Sequence, residues 1–132
     1  MRIWGFLTLI SLALISCEGN TDRIYKLDNK SAYNLHLKAK VSSTETYQID
    51  TIIPAGLRNV MAIFSQRGGV SQADENPGAI FSEFELKTTT GKIFNKDING
   101  DRTWQKSVIE RSKMPSNQEH LYLLEITDSD FQ

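Results

Sequence analysis

The chain has few of the residues on which disulfide frameworks, metal sites and catalytic centres depend. Its 132 residues include one cysteine, Cys17, and two histidines, His36 and His120. A lone cysteine excludes an internal disulfide, and two isolated histidines without a cysteine pair or a His-Glu motif do not form a zinc-binding pattern. Both histidines are therefore expected at the solvated surface, and the domain must rely on its hydrophobic core.

The charged residues are balanced in number and are not clustered along the chain. Lysine and arginine total 15 and aspartate and glutamate total 16, which leaves a formal net charge of −1. No run of five or six like charges is present, so neither a polybasic patch nor an acidic tail is indicated. Because nucleic-acid binding needs an excess of positive charge, that class of partner is excluded.

The longest apolar run is too short to cross a membrane. It covers residues 3–15 and follows Arg2, whereas a transmembrane helix needs about 20 apolar residues. A short positive segment and an apolar core of this length are typical of a signal peptide. Other interpretations are a plain secretory signal with an incidental cysteine, or a buried N-terminal helix with an inert thiol.

The residues at the end of this run, Leu14-Ile15-Ser16-Cys17, resemble the bacterial lipobox. The resemblance implies that Cys17 receives a diacylglycerol, that residues 1–16 are removed as a signal helix, and that the new amine is acylated. Two or more acyl chains hold a protein stably at a membrane, whereas one does so marginally. The residue after Cys17 is Glu18. A glutamate at this position resembles the sequence of an outer-membrane lipoprotein rather than that of a lipoprotein retained at the inner membrane. Whether the domain faces the periplasm or the cell surface stays open.

Beyond residue 22 the sequence shows the two-residue alternation of strands. In residues 34–41, Leu35, Leu37, Ala39 and Val41 share one face, as in a half-buried strand. Further strands are predicted over residues 47–53, 57–64, 80–86, 92–94, 104–109 and 119–127. We expect tight turns at 54–56 and 90–91, and a type I′ turn at Asn99-Gly100.

The nearly continuous apolar run in the last strand predicts a central strand that is covered on both faces. Seven or eight short strands with regular turns predict an all-β fold, an antiparallel β-sandwich of immunoglobulin-like type. The expected organisation is a signal peptide over 1–16, a lipidated cysteine and tether over 17–22, and one sandwich domain over 23–132.

Four features of this domain resemble the small lipoproteins of Bacteroidota that carry a β-sandwich behind a lipobox. They are Asn29-Lys30-Ser31 before a strand, "TIIPAG" at 51–56, Trp104 near the penultimate strand, and "YLLEITDSDF" at 122–131. No catalytic motif is among them. The resemblance implies an envelope protein, and it specifies no ligand.

Two segments are candidate binding sites. Asp97, Asn99 and Asp101 occupy positions 1, 3 and 5 of a calcium loop, but Arg102 stands where glycine is needed and Val108 where a bidentate glutamate is needed. The metal interpretation is therefore weak, and a turn explains the same residues. The second segment, residues 65–79, lacks periodicity, and a loop of this length is either disordered or functional. Its recognition groups as a binding loop are Arg67, Asp74, Glu75 and Asn76.

These observations predict a non-enzymatic binding or assembly module that is lipid-anchored at the outer membrane through Cys17 and has a protein or glycan partner. No cofactor is indicated. The alternative is a periplasm-facing inhibitor or immunity lipoprotein that blocks a toxin or hydrolase. A lipid-anchored hydrolase is the third interpretation.

Overall fold

The computed structural model describes residues 18–42 and 47–132. The predicted signal helix and the lipidation site Cys17 lie outside the described residues. Seven strands are present in the described part: β1 (Asn20–Asn29), β2 (Leu35–Val41), β3 (Tyr47–Ile53), β4 (Arg58–Arg67), β5 (Phe81–Thr88), β6 (Trp104–Lys113) and β7 (Ser116–Ile126). Short 3-10 turns cover Pro77–Ile80 and Asp128–Asp130.

The strands form two sheets, one of four strands in the order β4-β1-β7-β6 and one of three strands in the order β3-β2-β5. This arrangement confirms the predicted all-β sandwich, and its seven strands agree with the expected seven or eight. Neighbouring strands pair antiparallel except β1 and β7, which run parallel from the Asn20–Asn117 pair to the Asn29–Ile126 pair. The first and last strands are thus the two central strands of the larger sheet.

The core lies between the two sheets and is rich in aromatic side chains. Tyr25 of β1 packs against Tyr122 of β7, with ring centroids 5.0 Å apart, and edge-on against Trp104 of β6 at 6.2 Å. Phe81 of β5 stacks on Trp104 at 6.1 Å and so joins the second sheet to the first. The inward face of β2 carries the four alternating residues predicted to be buried, and all four are buried.

Asn29, at the end of β1, holds two turns together through a fully buried amide. Its Nδ2 lies 2.8–3.1 Å from the carbonyl oxygens of Tyr33, Ile53 and Pro54. Its Oδ1 accepts the backbone N–H and the hydroxyl of Ser31. Since buried backbone carbonyls need donors, one side chain here satisfies groups in the β1–β2 and β3–β4 connections.

The structure corrects the boundary between tether and domain. The predicted tether includes Asn20, Thr21 and Asp22, but they are the first three residues of β1 and pair with Arg67, Gln66 and Ser65 of β4. Polar residues at inward positions of β1 hide its alternation in the sequence. Gly19 also packs closely against the domain. A Cβ at this position would lie 1.9 Å from the carbonyl oxygen of Ser116, so a larger residue would clash there.

Two local predictions near the β5–β6 connection are also wrong. Asn99 and Gly100 do not have the positive φ of a type I′ turn. Instead Asp97 Oδ1 accepts the Asn99 N–H, and the Ile98 carbonyl accepts the indole N–H of Trp104. The predicted strand at 92–94 is reduced to single bridges from Ile93 and Phe94, although the turn at Gly91 is confirmed, with φ of 103°.

Candidate functional site

An apolar surface lies on the outer face of the four-stranded sheet, the face turned away from the core. The register places Ile24 of β1 between Ile63 of β4 and Leu121 of β7. In the next row, Lys26 lies between Val60 and Leu123. We call the aliphatic residues of this surface the apolar band: Ile24, Val60, Ile63, Ile109, Leu121 and Leu123.

The apolar band is open to solvent in the part of the chain that the structure describes. Ile63 is 58% exposed, Val60 47% and Ile109 40%, while Ile24, Leu121 and Leu123 are half-buried. The prediction that β7 is covered on both faces is therefore wrong for its outer face. Outer faces of antiparallel sheets are normally polar, and contiguous exposed apolar patches are typical of interaction surfaces.

Charged side chains border the apolar band, Lys26 lies within it, and most of these charges are paired within the chain. Arg58 Nη2 lies 3.0 Å from Asp28 Oδ2, Lys30 Nζ lies 2.8 Å from Glu125 Oε2, and Arg111 contacts both carboxylate oxygens of Glu119. The bond from Lys30 holds the pKa of Glu125 below its usual range. The charged groups on this face are Asp22, Lys26, Asp28, Lys30, Arg58, Arg67, Arg111, Glu119 and Glu125. Because four are acidic and five are basic, the face is close to neutral.

The two edges of this sheet are irregular. The β1–β4 register shifts between Tyr25 and Lys26, and the β6–β7 register shifts between Glu110 and Ser112. Bulges and charged residues are the devices by which proteins prevent edge-to-edge pairing of strands. The face of the sheet, rather than its edges, is thus the surface available to a partner.

The structure separates the four residues of the predicted binding loop. Arg67 is the last residue of β4, and its place opposite Asn20 puts it at the border of the outer face. Asp74 turns inward to Arg23, with Arg23 Nε 3.2 Å from Asp74 Oδ2. Glu75 and Asn76 are exposed, and the Glu75 carbonyl accepts a bond from Lys106 Nζ.

Residues 68–76 are not a free loop, because a chain of hydrogen bonds ties them to the inner face of the four-stranded sheet. His120 Nε2 lies 2.6 Å from the Val70 carbonyl oxygen, and His120 Nδ1 lies 3.1 Å from the Tyr122 hydroxyl. The same hydroxyl accepts the Asp74 N–H at 2.8 Å. Thr21 Oγ1 donates to the Gly68 carbonyl and accepts the Val70 N–H.

These bonds assign the histidine tautomer. A carbonyl oxygen only accepts, so His120 Nε2 carries a proton, and in the neutral imidazole Nδ1 then accepts from Tyr122. The prediction that His120 is solvated is wrong, since its exposed fraction is 0%. His36 is half-buried on the outer face of the smaller sheet, where its Nε2 lies 2.6 Å from Asp50 Oδ1. That contact lowers the pKa of Asp50.

Tyr25 and Tyr122 are held in the protonated state beneath this loop. Burial raises the pKa of Tyr25 well above its usual range, and the nearby Asp74 carboxylate adds to the shift. Burial also raises the pKa of Tyr122, although its bond from the Asp74 N–H works in the opposite direction. Since the folded-state values exceed the unfolded value of about 10, the neutral tyrosines contribute their full stability below pH 10. That contribution is lost as the pH rises through the folded-state values.

A spectrophotometric titration checks this assignment. Absorbance at 295 nm should rise in an early phase and in a late phase, and the late phase should coincide with loss of the near-ultraviolet circular dichroism signal. Tyr122→Phe should remove one tyrosine from the late amplitude. Complete ionisation of all tyrosines near pH 10 with the fold intact would contradict it.

The weak candidate metal site, Asp97, Asn99 and Asp101, lies in a turn that internal hydrogen bonds hold together. Asp97 Oδ1 accepts the Asn99 N–H, and the Asp97 carbonyl accepts both the Gly100 N–H and the Thr103 hydroxyl. Asp101 is exposed. Across residues 18–42 and 47–132, no group of three or more His, Cys, Asp or Glu side chains is placed to hold a metal ion.

A groove of about 540 Å³ crosses the outer face of the smaller sheet. Its charged lining residues are of both signs: Lys38, Lys40, Asp50, Glu83 and Glu85. This mixture resembles an ordinary solvated sheet face. It contrasts with the apolar band on the opposite side of the sandwich.

The apolar band was missed at the sequence level, although one signal for it was present. The run at 121–124 was recognised, but its outward residues Leu121 and Leu123 were assigned to a covered face. Ile63, Ile24 and Leu121 come to lie in one row only because β1 is inserted between β4 and β7. Alternation does not reveal this pairing of distant segments.

Comparison with protein-family models, with curated proteins and with solved structures found no match to this chain. Among the helical segments that the structure describes, none combines the length and the hydrophobicity needed to span a bilayer.

Proposed function

We propose that this protein is a lipid-anchored, non-enzymatic binding or assembly module of the cell envelope, and that the apolar band is its binding surface. The observation that carries the proposal is a cluster of aliphatic residues on the outer face of β4, β1 and β7, with Ile109 of β6 beside it. Ile63, Val60 and Ile109 of this cluster are exposed. Burying such a surface is favourable by roughly 25 cal/mol per Å². A protein partner with an aliphatic surface of its own therefore fits it.

The short connection to Cys17 supports a role close to the membrane. β1 begins at Asn20, and Gly19 already packs on Ser116. Two residues of extended chain span at most about 7 Å, so acylation of Cys17 would hold the domain directly against the bilayer. The Asn20 end of the four-stranded sheet would then be the end nearest the lipid.

Membrane fractionation tests the anchor. The full chain should sediment with outer membranes and resist extraction by high salt, whereas Cys17→Ala should be released and remain folded. Trypsin added to intact cells should cleave the protein only where the domain faces the outside, which separates a surface role from a periplasmic one. Equal release of both forms would contradict the anchor.

Photo-crosslinking tests the binding surface. Ser107 is exposed and lies beside Leu121 at the border of the apolar band, so a benzophenone amino acid there samples the partner without removing an apolar residue. We expect one discrete adduct in cells and none from the same probe at Lys38 on the other sheet. Absence of an adduct at Ser107 would overturn the proposal, and a toxin or hydrolase in the adduct would identify the inhibitor alternative.

A further inference from the structure

The chain that leads to Cys17 leaves the domain between two other parts of the four-stranded sheet. On one side, the Gly68 N–H, just after β4, donates to the Gly19 carbonyl at 3.2 Å. On the other side, Gly19 packs on Ser116, the first residue of β7. Glu18 is the one residue between Gly19 and Cys17 in the sequence. The end of β4 and the β6–β7 turn therefore flank the predicted anchor.

The β6–β7 turn presents an apolar side chain at this end of the sandwich. Met114 is 89% exposed, the largest exposed fraction among the large hydrophobic residues that the structure describes. The neighbouring Pro115 is exposed as well. The Ser112 hydroxyl donates to the Pro115 carbonyl at 2.5 Å and so closes the turn. Because no described residue covers Met114, an apolar environment for its side chain has to come from outside the domain.

Two basic side chains flank the same end of the sheet. Arg67 ends β4 opposite Asn20, and Lys113 ends β6 opposite Ser116. Both are exposed, and neither forms an ion pair within residues 18–42 and 47–132. Along β7 the rows of these two residues are one residue apart, so the two cations project from opposite faces of the sheet.

Taking the lipid anchor of the proposed function as its basis, we infer that this end of the sandwich docks on the bilayer. Met114 enters the interface between the headgroups and the acyl chains, and Arg67 and Lys113 bind the phosphate groups of anionic lipids. The length of the connection selects this occupant, since two extended residues span at most about 7 Å. Acyl chains on Cys17 would bring the bilayer, and no other molecule, against this end.

The two cations give the anchored domain a preferred orientation. The anchor alone leaves the domain free to tilt about its short connection. An anionic membrane favours each basic residue at its surface about fivefold, so two cations favour the docked orientation by roughly 25-fold. Glu18, the exposed acid on the connection, opposes part of this attraction. With a cation on each face, the strands stand along the membrane normal, and the apolar band faces sideways within reach of a partner in the same membrane.

Quenching of a fluorophore by lipids tests this orientation in the full chain. Met114→Cys is labelled with bimane on its new thiol, since a lipidated Cys17 has no free thiol. Ala55→Cys is the matched control, because Ala55 is exposed in a turn whose Gly56 N–H bonds the Asn29 carbonyl at the opposite end of β1. In vesicles of phosphatidylethanolamine and phosphatidylglycerol that contain brominated lipids, quenching at position 114 should exceed that at position 55 about threefold or more.

Neutralising both cations tests the headgroup contacts. Arg67→Gln combined with Lys113→Gln should lower the quenching at position 114 by about half or more, because the docked orientation loses its electrostatic preference. Lys38→Gln combined with Lys40→Gln is the matched control, since both lysines lie on the outer face of the smaller sheet. This control should leave the quenching unchanged.

Flotation of the vesicles separates failure of the anchor from failure of the docked orientation. A chain that floats with the vesicles and is quenched mainly at position 114 supports the inference. A chain that floats but is quenched equally at both positions overturns the inference and leaves the anchor standing. A chain that does not float overturns both. Quenching at position 114 that survives neutralisation of both cations would overturn their contact with the headgroups.

Discussion

Replacing Asn29 by aspartate should cost about 3 to 5 kcal/mol of folding free energy, from the loss of buried donors and the burial of a charge. The Nδ2 group that serves the carbonyls of Tyr33, Ile53 and Pro54 would become a carboxylate oxygen facing three other oxygens. Domains of this size are stable by only about 5 to 15 kcal/mol. The midpoint of urea denaturation measured by circular dichroism should therefore fall steeply.

Asn34→Asp is the matched control for this substitution. Asn34 is exposed, and among the described residues the bond its side chain makes is from Oδ1, which accepts the Ala55 N–H at 3.1 Å. A carboxylate accepts the same bond, so this change should stay within about 0.5 kcal/mol of the parent. If both variants unfold at the same urea concentration, the amide of Asn29 does not hold the two turns together.

His120→Leu should release residues 68–76 from the sheet while the sandwich persists. Leucine has a similar volume, but it provides neither the donor for the Val70 carbonyl nor the acceptor for the Tyr122 hydroxyl. Leaving these buried groups unsatisfied costs about 1 to 3 kcal/mol, and the cost falls on the contacts between the loop and the sheet. Local opening of this kind exposes the backbone to proteases.

Tryptic cleavage after Arg67, at the start of this loop, is the measurement. We expect the rate to rise about tenfold or more, since 1.4 kcal/mol corresponds to a factor of ten in an opening equilibrium that limits proteolysis. His36→Leu is the control, because His36 contacts only the exposed Asp50 among its hydrogen-bond partners in the described residues. Equal cleavage rates for the two variants would show that the His120 bonds do not secure the loop.

The strands of the smaller sheet were the most predictable part of the fold. In β2 the inward residues are aliphatic and the outward ones are His36, Lys38 and Lys40, so alternation alone defines the element and its buried face. Turn chemistry was informative where glycine needs positive φ, as at Gly56 and Gly91. The turn prediction was wrong at Asn99-Gly100. There the Asp97 side chain accepts the Asn99 N–H, and the Trp104 indole donates to the Ile98 carbonyl.

The candidate site was much less predictable than the fold. Of the residues selected in the 65–79 segment, Arg67 borders the outer face, whereas Asp74 is half-buried and forms an ion pair with Arg23. The position of His120 at the start of the last strand predicts a solvated side chain. It is buried instead, because residues 68–76 fold over the part of the sheet that carries it. No local sequence pattern predicts that residues 68–76 cover His120.

The sequence by itself determined the all-β class, the positions of most strands and the apolar alternation that builds the core, because these depend on neighbours two residues apart. Only the tertiary structure decided that β1 joins β7 in parallel, that His120 is buried and that Ile24, Ile63 and Leu121 lie side by side in the open. Alternation assigns a residue to one of two faces. Which face is covered depends on contacts between segments that are distant along the chain.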